Sequence, residues 1–233
     1  MPCIVKGSGE IIVLLHGYLS RKESFYYQTE FLSGYYTVMA PDMPGFGASP
    51  PLGSAWSVGD YAEWFLAFLK AQKTARVHIL AHSFGARVAF KAVASHPEMA
   101  KSLIVTGGAG LVKPRSEEYL KKVRAYRRVK KIFPRFAEKH YGSPEYRALS
   151  PVMKESYKKI VNEDLLSCAA QIKCRTCLVY GKNDVVTPPS EEGETFRKTI
   201  GGSVLHIMDG GHFCFSEYPG QFNKIIYNFL SEK

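Results

Sequence analysis

One stretch of the chain decides the fold: Val77-His-Ile-Leu-Ala-His-Ser-Phe-Gly-Ala-Arg-Val-Ala-Phe90. It opens with the apolar, partly β-branched residues of a buried strand and continues, after Gly85, with the apolar spacing of a helix. Ser83 stands at the turn between the two. A serine on a sharp strand-to-helix turn is the context of a nucleophile elbow, where small residues two positions to either side relieve crowding. Gly85 is one such residue, and Ala81 stands where the other is usually glycine.

The start of this helix and the end of the first strand together predict a site for negative charge. The helix directs its free N–H groups and its dipole at Ser83. The apolar run Ile11–Leu15 is typical of a central parallel strand, and the loop that leaves its carboxyl end faces the ligand crevice of such a sheet. Because Gly17 lets the backbone turn there, we expect the N–H groups of Tyr18 and Phe84 to form an oxyanion hole. Loss of one such donor typically costs about 3–4 kcal/mol of transition-state stabilisation.

A serine nucleophile also needs a base that accepts its proton and a carboxylate that orients the base. Asp184 follows the apolar strand Cys177–Tyr180, and His212 follows the last predicted strand, Ser203–Met208. The order Ser83, Asp184, His212 is the order expected when the serine lies on such an elbow of an α/β sheet. We therefore predict these three residues to be catalytic.

Length and composition favour one α/β domain with an insertion. The chain has 233 residues, 45% of them hydrophobic, which is enough for a sizeable core. Strands alternate with helices and no glycine-rich phosphate-binding motif occurs, which predicts a mostly parallel sheet and no nucleotide. No apolar run approaches the ~20 residues of a membrane span, and the N-terminus lacks the shape of a signal peptide. We therefore expect a cytoplasmic protein whose five cysteines are reduced thiols.

Several residues of reactive type are expected to be structural. Cys174 and Cys177 open an apolar strand, where residues three apart face opposite sides, and no second Cys or His pair has ligand spacing. The sequence thus predicts no metal and no cofactor. Asp42 lies in a loop rich in Pro and Gly and is expected to bond its backbone. We expect His16 to support its loop and His82 to pack behind the nucleophile.

The composition changes at Leu111. Residues 111–173 contain 16 Lys or Arg and 7 Asp or Glu, a net charge of +9, whereas the whole chain is +10. Apolar residues recur every three or four positions among the basic ones, which predicts a basic amphipathic helix that Pro134 ends. A turn at Tyr141–Pro144 and a helix over about Pro151–Leu166 are predicted to follow. We therefore divide the chain into a core of residues 1–110 and 174–233 and a helical cap of residues 111–173.

The positive charge of the predicted cap has three interpretations. It can be a solvated face opposite an apolar stripe, or it can attract anionic substrates or a membrane surface. Nucleic acid is the third and least favoured, since no binding motif accompanies the charge. We expect a small-molecule ester or acyl substrate, no nucleic acid, no stable membrane insertion, and a monomer or homodimer.

Five segments, in order along nearly the whole chain, resemble the α/β-hydrolase fold family in its serine-hydrolase branch with an inserted helical cap. They are Leu14–Tyr18, Pro41–Ser49, Ala81–Gly85, Gly181–Asp184 and Gly211–His212. The resemblance implies a mostly parallel central sheet with helices on both faces. It also implies a Ser83–His212–Asp184 triad and an oxyanion hole at Tyr18 and Phe84. The sequence departs from the pattern at Ala81 and at Arg175, where a proline often precedes the strand.

These residues predict a serine hydrolase that cleaves a carboxylic ester, or a related acyl bond, through an acyl-enzyme. Serine rather than aspartate at the elbow argues against haloalkane dehalogenase or epoxide hydrolase chemistry. The same site could serve a carbon–carbon hydrolase or a lyase on an anionic metabolite. From another class of protein, a non-catalytic ligand-binding module on this fold stays open, because fold does not determine function.

Overall fold

The computed structural model describes residues 1–74, 76–112, 117–133 and 144–232. Within them a seven-stranded sheet has the order β1-β3-β2-β4-β5-β6-β7. The strands are β1 Cys3–Lys6, β2 Ile11–Leu15, β3 Thr37–Pro41, β4 Val77–His82, β5 Ala100–Thr106, β6 Arg175–Gly181 and β7 Val204–Met208. Strand β1 pairs antiparallel with β3, and the other pairs are parallel. The carboxyl ends of β2, β4, β5, β6 and β7 therefore meet at one edge of the sheet.

Helices connect the parallel strands. They are α1 Tyr26–Leu32, α2 Val58–Ala71, α3 Phe84–Ser95, α4 Glu117–Ile132, α5 Pro144–Ala148, α6 Pro151–Val161, α7 Leu166–Ala169, α8 Glu194–Thr199, α9 Cys214–Glu217 and α10 Pro219–Ser231. Short turns of other helix types span Lys22–Phe25, Pro97–Met99 and Pro189–Gly193. The start of α2 is a capping box, in which the side chains of Ser57 and Asp60 bond each other's backbone N–H. This is the start that the Ser57 to Asp60 spacing predicts.

Both faces of the sheet are covered by apolar residues, which explains why the central strands are continuous apolar runs. Along β2, Val13 and Leu15 belong to the cluster that packs with α2 and α3. Their neighbours Ile12 and Leu14 belong to the opposite cluster, with α10. This alternation follows from the two-residue period of a strand. The predicted α/β class, with helices on both faces of a mostly parallel sheet, is confirmed.

Some elements differ from prediction. Strand β1 and the short helices α5, α8 and α9 were not predicted from the sequence. The helix predicted over about Pro151–Leu166 ends at Val161, and α7 begins separately. Asp164 accounts for the break, because its carboxylate accepts bonds from the backbone N–H groups of Leu166 and Val112. Such local side-chain bonds compete with helix continuation. Pro134 and the turn predicted at residues 141–144 lie wholly or partly outside the described residues.

Helices α4 to α7 lie between β5 and β6 in the chain, where the cap is predicted. Helix α6 is bonded to the sheet-and-helix core at both ends. The Tyr18 hydroxyl donates to the Met153 carbonyl at 3.1 Å, and Arg87 Nη1 donates to the carbonyls of Ile160 and Glu163 at 3.1 and 2.8 Å. Met153 and Ile160 also belong to the apolar cluster of α2 and α3. The described part of the insertion thus shares the core's apolar cluster, and its status as a separate cap domain stays a prediction.

Candidate active site

Ser83 occupies a strained turn between β4 and α3. Its backbone has φ +50° and ψ −107°, a conformation that residues with a side chain rarely adopt. The Ser83 N–H donates to the Thr106 carbonyl at 3.1 Å, and the Ser83 carbonyl accepts from Ala86 at 3.1 Å. A Cβ on Gly85 would lie 2.2 Å from the Leu15 carbonyl oxygen. The elbow therefore requires glycine at position 85, whereas the buried position 81 accommodates alanine.

The structure brings the three predicted catalytic residues together. The Oγ of Ser83 lies 3.0 Å from Nε2 of His212, and Nδ1 of His212 lies 2.8 Å from Oδ2 of Asp184. An ionised carboxylate only accepts hydrogen bonds, so Nδ1 carries the proton toward Asp184. Nε2 is then the free lone pair that accepts from the Ser83 hydroxyl. This is the tautomer that lets an imidazole act as a base toward serine.

Asp184 is held as a carboxylate by Thr187, a residue that sequence reasoning missed. Its Oδ1 accepts from the N–H groups of Val186 and Thr187 at 2.8 and 2.9 Å, and its Oδ2 accepts from the Thr187 hydroxyl at 2.8 Å. Burial by itself would raise the pKa of Asp184, but the bonds from His212 and Thr187 outweigh it and lower the pKa. Asp184 is therefore charged at neutral pH. The signal in the sequence was an Asp followed at the third position by Thr, a turn in which the side chain bonds nearby N–H groups.

His82 lies behind the nucleophile, as predicted, and contacts His212 directly. Its Nε2 lies 3.0 Å from the His212 carbonyl oxygen, and the two ring centroids are 4.8 Å apart. Burial, followed by repulsion from His212, lowers the pKa of His82 to about 3. The ring is therefore neutral at ordinary pH, and Nε2 donates its proton to the carbonyl. Nδ1 faces Gly17, where a Cβ would come within 2.8 Å.

The two residues predicted as oxyanion donors lie side by side near Ser83. Tyr18 follows β2, and its ring meets the ring of Phe84 edge-on at 5.5 Å. Phe84 is the first residue of α3, where N–H groups have no intrahelical acceptor. A Cβ placed on Gly17 would lie 3.6 Å from the Ser83 Cβ, so this loop passes next to the nucleophile. That the two N–H groups bind an oxyanion stays a prediction.

A cavity of about 260 Å³ lies between the insertion and the loops that follow β5 and β6. Its apolar lining includes Ala109 and Val186, and Thr187 connects it to Asp184. Two buried charged residues, Arg87 and Glu192, also line it. Ser83, Asp184 and His212 do not line the cavity, which approaches the triad through Thr187.

Asp42 serves its loop, as the sequence predicts. Its buried carboxylate accepts from the Lys22 backbone N–H at 2.8 Å, the Lys22 ammonium at 2.7 Å and the Ala48 N–H at 2.9 Å. Burial would raise the pKa of Asp42, but these bonds lower it. The carboxylate has no described bond to Ser83 or His212, and we give it no catalytic role.

Two further histidines have structural partners. The buried His16 accepts from the Met43 N–H through Nε2 at 3.0 Å, which supports the loop after β3 as predicted. His78, for which no partner was predicted, bonds Ser102 and Glu10 at 2.8 and 3.1 Å. Neither histidine has a described bond to the nucleophile, so we assign neither of them a catalytic role.

Cys174 and Cys177, the two cysteines with a spacing of three, are buried or half-buried in and before β6. Cys177 is fully buried in β6, and burial raises the pKa of its thiol to about 12. Cys174 lies just before the strand and is half-buried. Within residues 1–74, 76–112, 117–133 and 144–232, no group of three or more His, Cys, Asp or Glu side chains is arranged to hold a metal ion.

Comparisons with known proteins identify the family and the fold of the chain. The model of the family described as "alpha/beta hydrolase fold" matches residues 10–165. A probable 1-acylglycerol-3-phosphate O-acyltransferase from Oryza sativa subsp. japonica is 24% identical over 93% of this chain and 66% of its own length. A 2-hydroxymuconate semialdehyde hydrolase from Pseudomonas putida is 25% identical over 84% of this chain and 77% of its own. An esterase from Exiguobacterium antarcticum superposes with a TM-score of 0.80 at 23% identity, covering 99% of this chain and 95% of its own.

The matches cover only parts of the relatives and of this chain. The chain spans slightly less than two thirds of the rice protein's length. The segment matched by the family model includes the elbow at Ser83 but ends before Asp184 and His212. The meeting of all three side chains is therefore an observation on this structure alone.

Proposed function

Since the chain belongs to the α/β-hydrolase fold family, we propose that it is a serine hydrolase that cleaves the carboxylic ester, or a related acyl bond, of a small molecule. The observation that carries the proposal is the unbroken line of hydrogen bonds from Ser83 through His212 to Asp184, at 3.0 and 2.8 Å. These are the distances that proton transfer from a nucleophile to a positioned base requires. Ser83 is the nucleophile, His212 the general base and acid, and Asp184 the carboxylate that orients His212.

In the acylation step, Ser83 Oγ attacks the ester carbonyl carbon while His212 Nε2 takes the hydroxyl proton. Asp184 stabilises the imidazolium that forms. The carbonyl oxygen becomes an oxyanion, which the N–H groups of Tyr18 and Phe84 bind. The intermediate collapses as the bond to the leaving alkoxide breaks, and His212 returns its proton to that oxygen. The products of this step are an alcohol and an acyl-Ser83 ester.

Water completes the cycle. It attacks the acyl carbonyl and gives one proton to His212, which passes it to Ser83 Oγ as the acyl–oxygen bond breaks. The carboxylic acid leaves, and the free serine is restored. We place one of the two groups that flank the ester in the cavity beside Thr187, because Thr187 bonds Asp184 of the triad.

A second candidate is the hydrolysis of a carbon–carbon bond by the same triad. The 25% identity to a 2-hydroxymuconate semialdehyde hydrolase over most of both chains supports it. The two candidates differ in the bond that must be activated, so a substrate comparison separates them. Consumption of 2-hydroxymuconate semialdehyde without turnover of p-nitrophenyl acetate or butyrate would favour the carbon–carbon hydrolase.

The experiment that tests the proposal is labelling by a fluorophosphonate probe together with p-nitrophenyl ester hydrolysis. The wild type is expected to react with the probe and turn over the ester, and Ser83→Ala is expected to do neither. Ser95→Ala, at the exposed end of the same helix, is the matched control and should behave as wild type. Turnover by Ser83→Ala at the wild-type rate would refute the assignment. A wild-type Ser83 that ignores both reagents would favour a non-catalytic binding module.

A further inference from the structure

The solvent-facing side of α4 carries a row of positive charge. The four exposed cations of this row are Lys121, Arg124, Arg128 and Lys131. Their spacing of three, four and three residues places them on one side of a helix with 3.6 residues per turn. The half-buried residues Val123 and Tyr126 lie on the opposite side. Among the described side chains of α4, the cations of this row are therefore exposed, and Val123 and Tyr126 are partly buried.

An exposed apolar pair follows directly after the last cation. Ile132 is 69% exposed and Phe133 is 62% exposed. Ile132 comes four residues after Arg128, so it shares the side of the helix that carries the cations. A cationic helix face next to exposed apolar side chains is the composition of helices that lie in a membrane interface. A nucleic acid, whose phosphates bind Lys and Arg, would account for the cations but not for the exposed apolar pair.

We propose that α4 is a docking surface for an anionic phospholipid membrane. The cations contact the negatively charged headgroups, while Ile132 and Phe133 enter the boundary between headgroups and acyl chains. Residues 111–173 carry a net charge of +9, which complements such a surface. At a rise of 1.5 Å per residue the helix is about 24 Å long and lies along the surface. Among the described residues, none of the helices combines the length and the apolar character that a membrane span needs.

The test is sedimentation of the full chain with vesicles of phosphatidylcholine alone or mixed with equal phosphatidylglycerol. We expect binding only to the phosphatidylglycerol vesicles, weakened by salt because exposed charges are screened. Each basic residue near an anionic surface contributes roughly a fivefold increase in partitioning. Replacing the four exposed cations of this row, Lys121, Arg124, Arg128 and Lys131, by glutamine should therefore weaken binding on the order of 10²–10³-fold. Ile132→Ser with Phe133→Ser should lower the binding that remains at high salt.

A control variant separates a local surface from net charge. It replaces four exposed lysines outside α4 by glutamine and so has the same net charge as the α4 variant. They are Lys70, Lys73, Lys198 and Lys224. We expect this control to bind nearly as wild type, with circular dichroism showing that all variants are folded. The proposal would be overturned if the two quadruple variants lost vesicle binding equally. It would also be overturned if phosphatidylglycerol did not increase the binding of the wild type to vesicles. Retention of a DNA duplex by the wild type without retention of vesicles would overturn it as well.

Discussion

The bond from His82 to the His212 carbonyl offers the sharpest test of how this site is built. In His82→Leu the donor at Nε2 is lost, and the partly buried His212 carbonyl oxygen loses a partner that now lies at 3.0 Å. A fully buried unsatisfied acceptor costs about 1–3 kcal/mol, so the expected loss of unfolding free energy is at the lower end, about 1 kcal/mol. A displacement of His212 by about 1 Å can cost as much as about 10²-fold in rate. We therefore expect kcat to fall by about 10- to 100-fold with KM nearly unchanged.

The assay is steady-state hydrolysis of a p-nitrophenyl ester by four proteins: wild type, His82→Leu, His212→Ala and the double variant. If His82 acts by positioning His212, its loss has little further effect once the imidazole is gone, because residues that act as a unit are non-additive. His82→Gln, whose amide N–H can reach the same carbonyl, should recover most of the activity. The reasoning is refuted if His82→Leu lowers the residual rate of His212→Ala by the same factor as in wild type. Failure of His82→Gln to recover more activity than His82→Leu would count against it as well.

Three further predictions concern the same site. Asp184→Asn should lower kcat on the order of 10³–10⁴-fold with little change in KM, because the amide favours the wrong tautomer of His212. Ester hydrolysis kinetics measure the loss of kcat, and ¹⁵N NMR of the imidazole reports the tautomer. The depressed pKa of His82 means that the unfolded chain binds a proton there between about pH 6.5 and 3, so this residue's contribution to stability is lost as the pH falls through that window. Denaturant unfolding should show a shallower pH slope in His82→Gln than in wild type, by up to about 1.4 kcal/mol per pH unit, and parallel slopes would contradict this. Gly85→Ala should give little folded protein, because the alanine Cβ would lie 2.2 Å from the Leu15 carbonyl oxygen. If the variant instead showed the same thermal unfolding transition as the wild type, the elbow would tolerate a side chain at this position.

The insertion contributes to the site through Tyr18. The ring of Tyr18 meets Tyr157 of α6 at 5.2 Å, and its hydroxyl donates to the Met153 carbonyl. Burial raises the pKa of this phenol, so it stays protonated and remains a donor. The side chain that binds α6 therefore belongs to the residue whose backbone N–H is proposed to bind the oxyanion. Tyr18 thus links α6 to the loop beside Ser83.

Local sterics made the elbow readable in the sequence. The position two residues after Ser83 must be small, because Gly85 approaches the Leu15 backbone so closely that only glycine fits. The strands were recognisable because burial on both faces demands continuous apolar runs. Ser83, Asp184 and His212 were recognisable because each follows a predicted strand, and because their order along the chain is the one expected for this architecture. These features depend on a few neighbouring residues, and a linear sequence records such neighbours directly.

The remaining parts of the site depend on contacts that only the folded chain makes. His82 and His212 are 130 residues apart, and their bond exists because the carboxyl ends of β4 and β7 meet at one edge of the sheet. Thr187 acquires its role because the turn after β6 folds back onto Asp184. The short β1 was unpredictable because its antiparallel pairing with β3 stabilises four residues that carry little pattern of their own. The sequence alone therefore determined which residues we propose to carry the chemistry, while the tertiary structure decided which neighbours orient them, since orientation arises from the packing of distant segments.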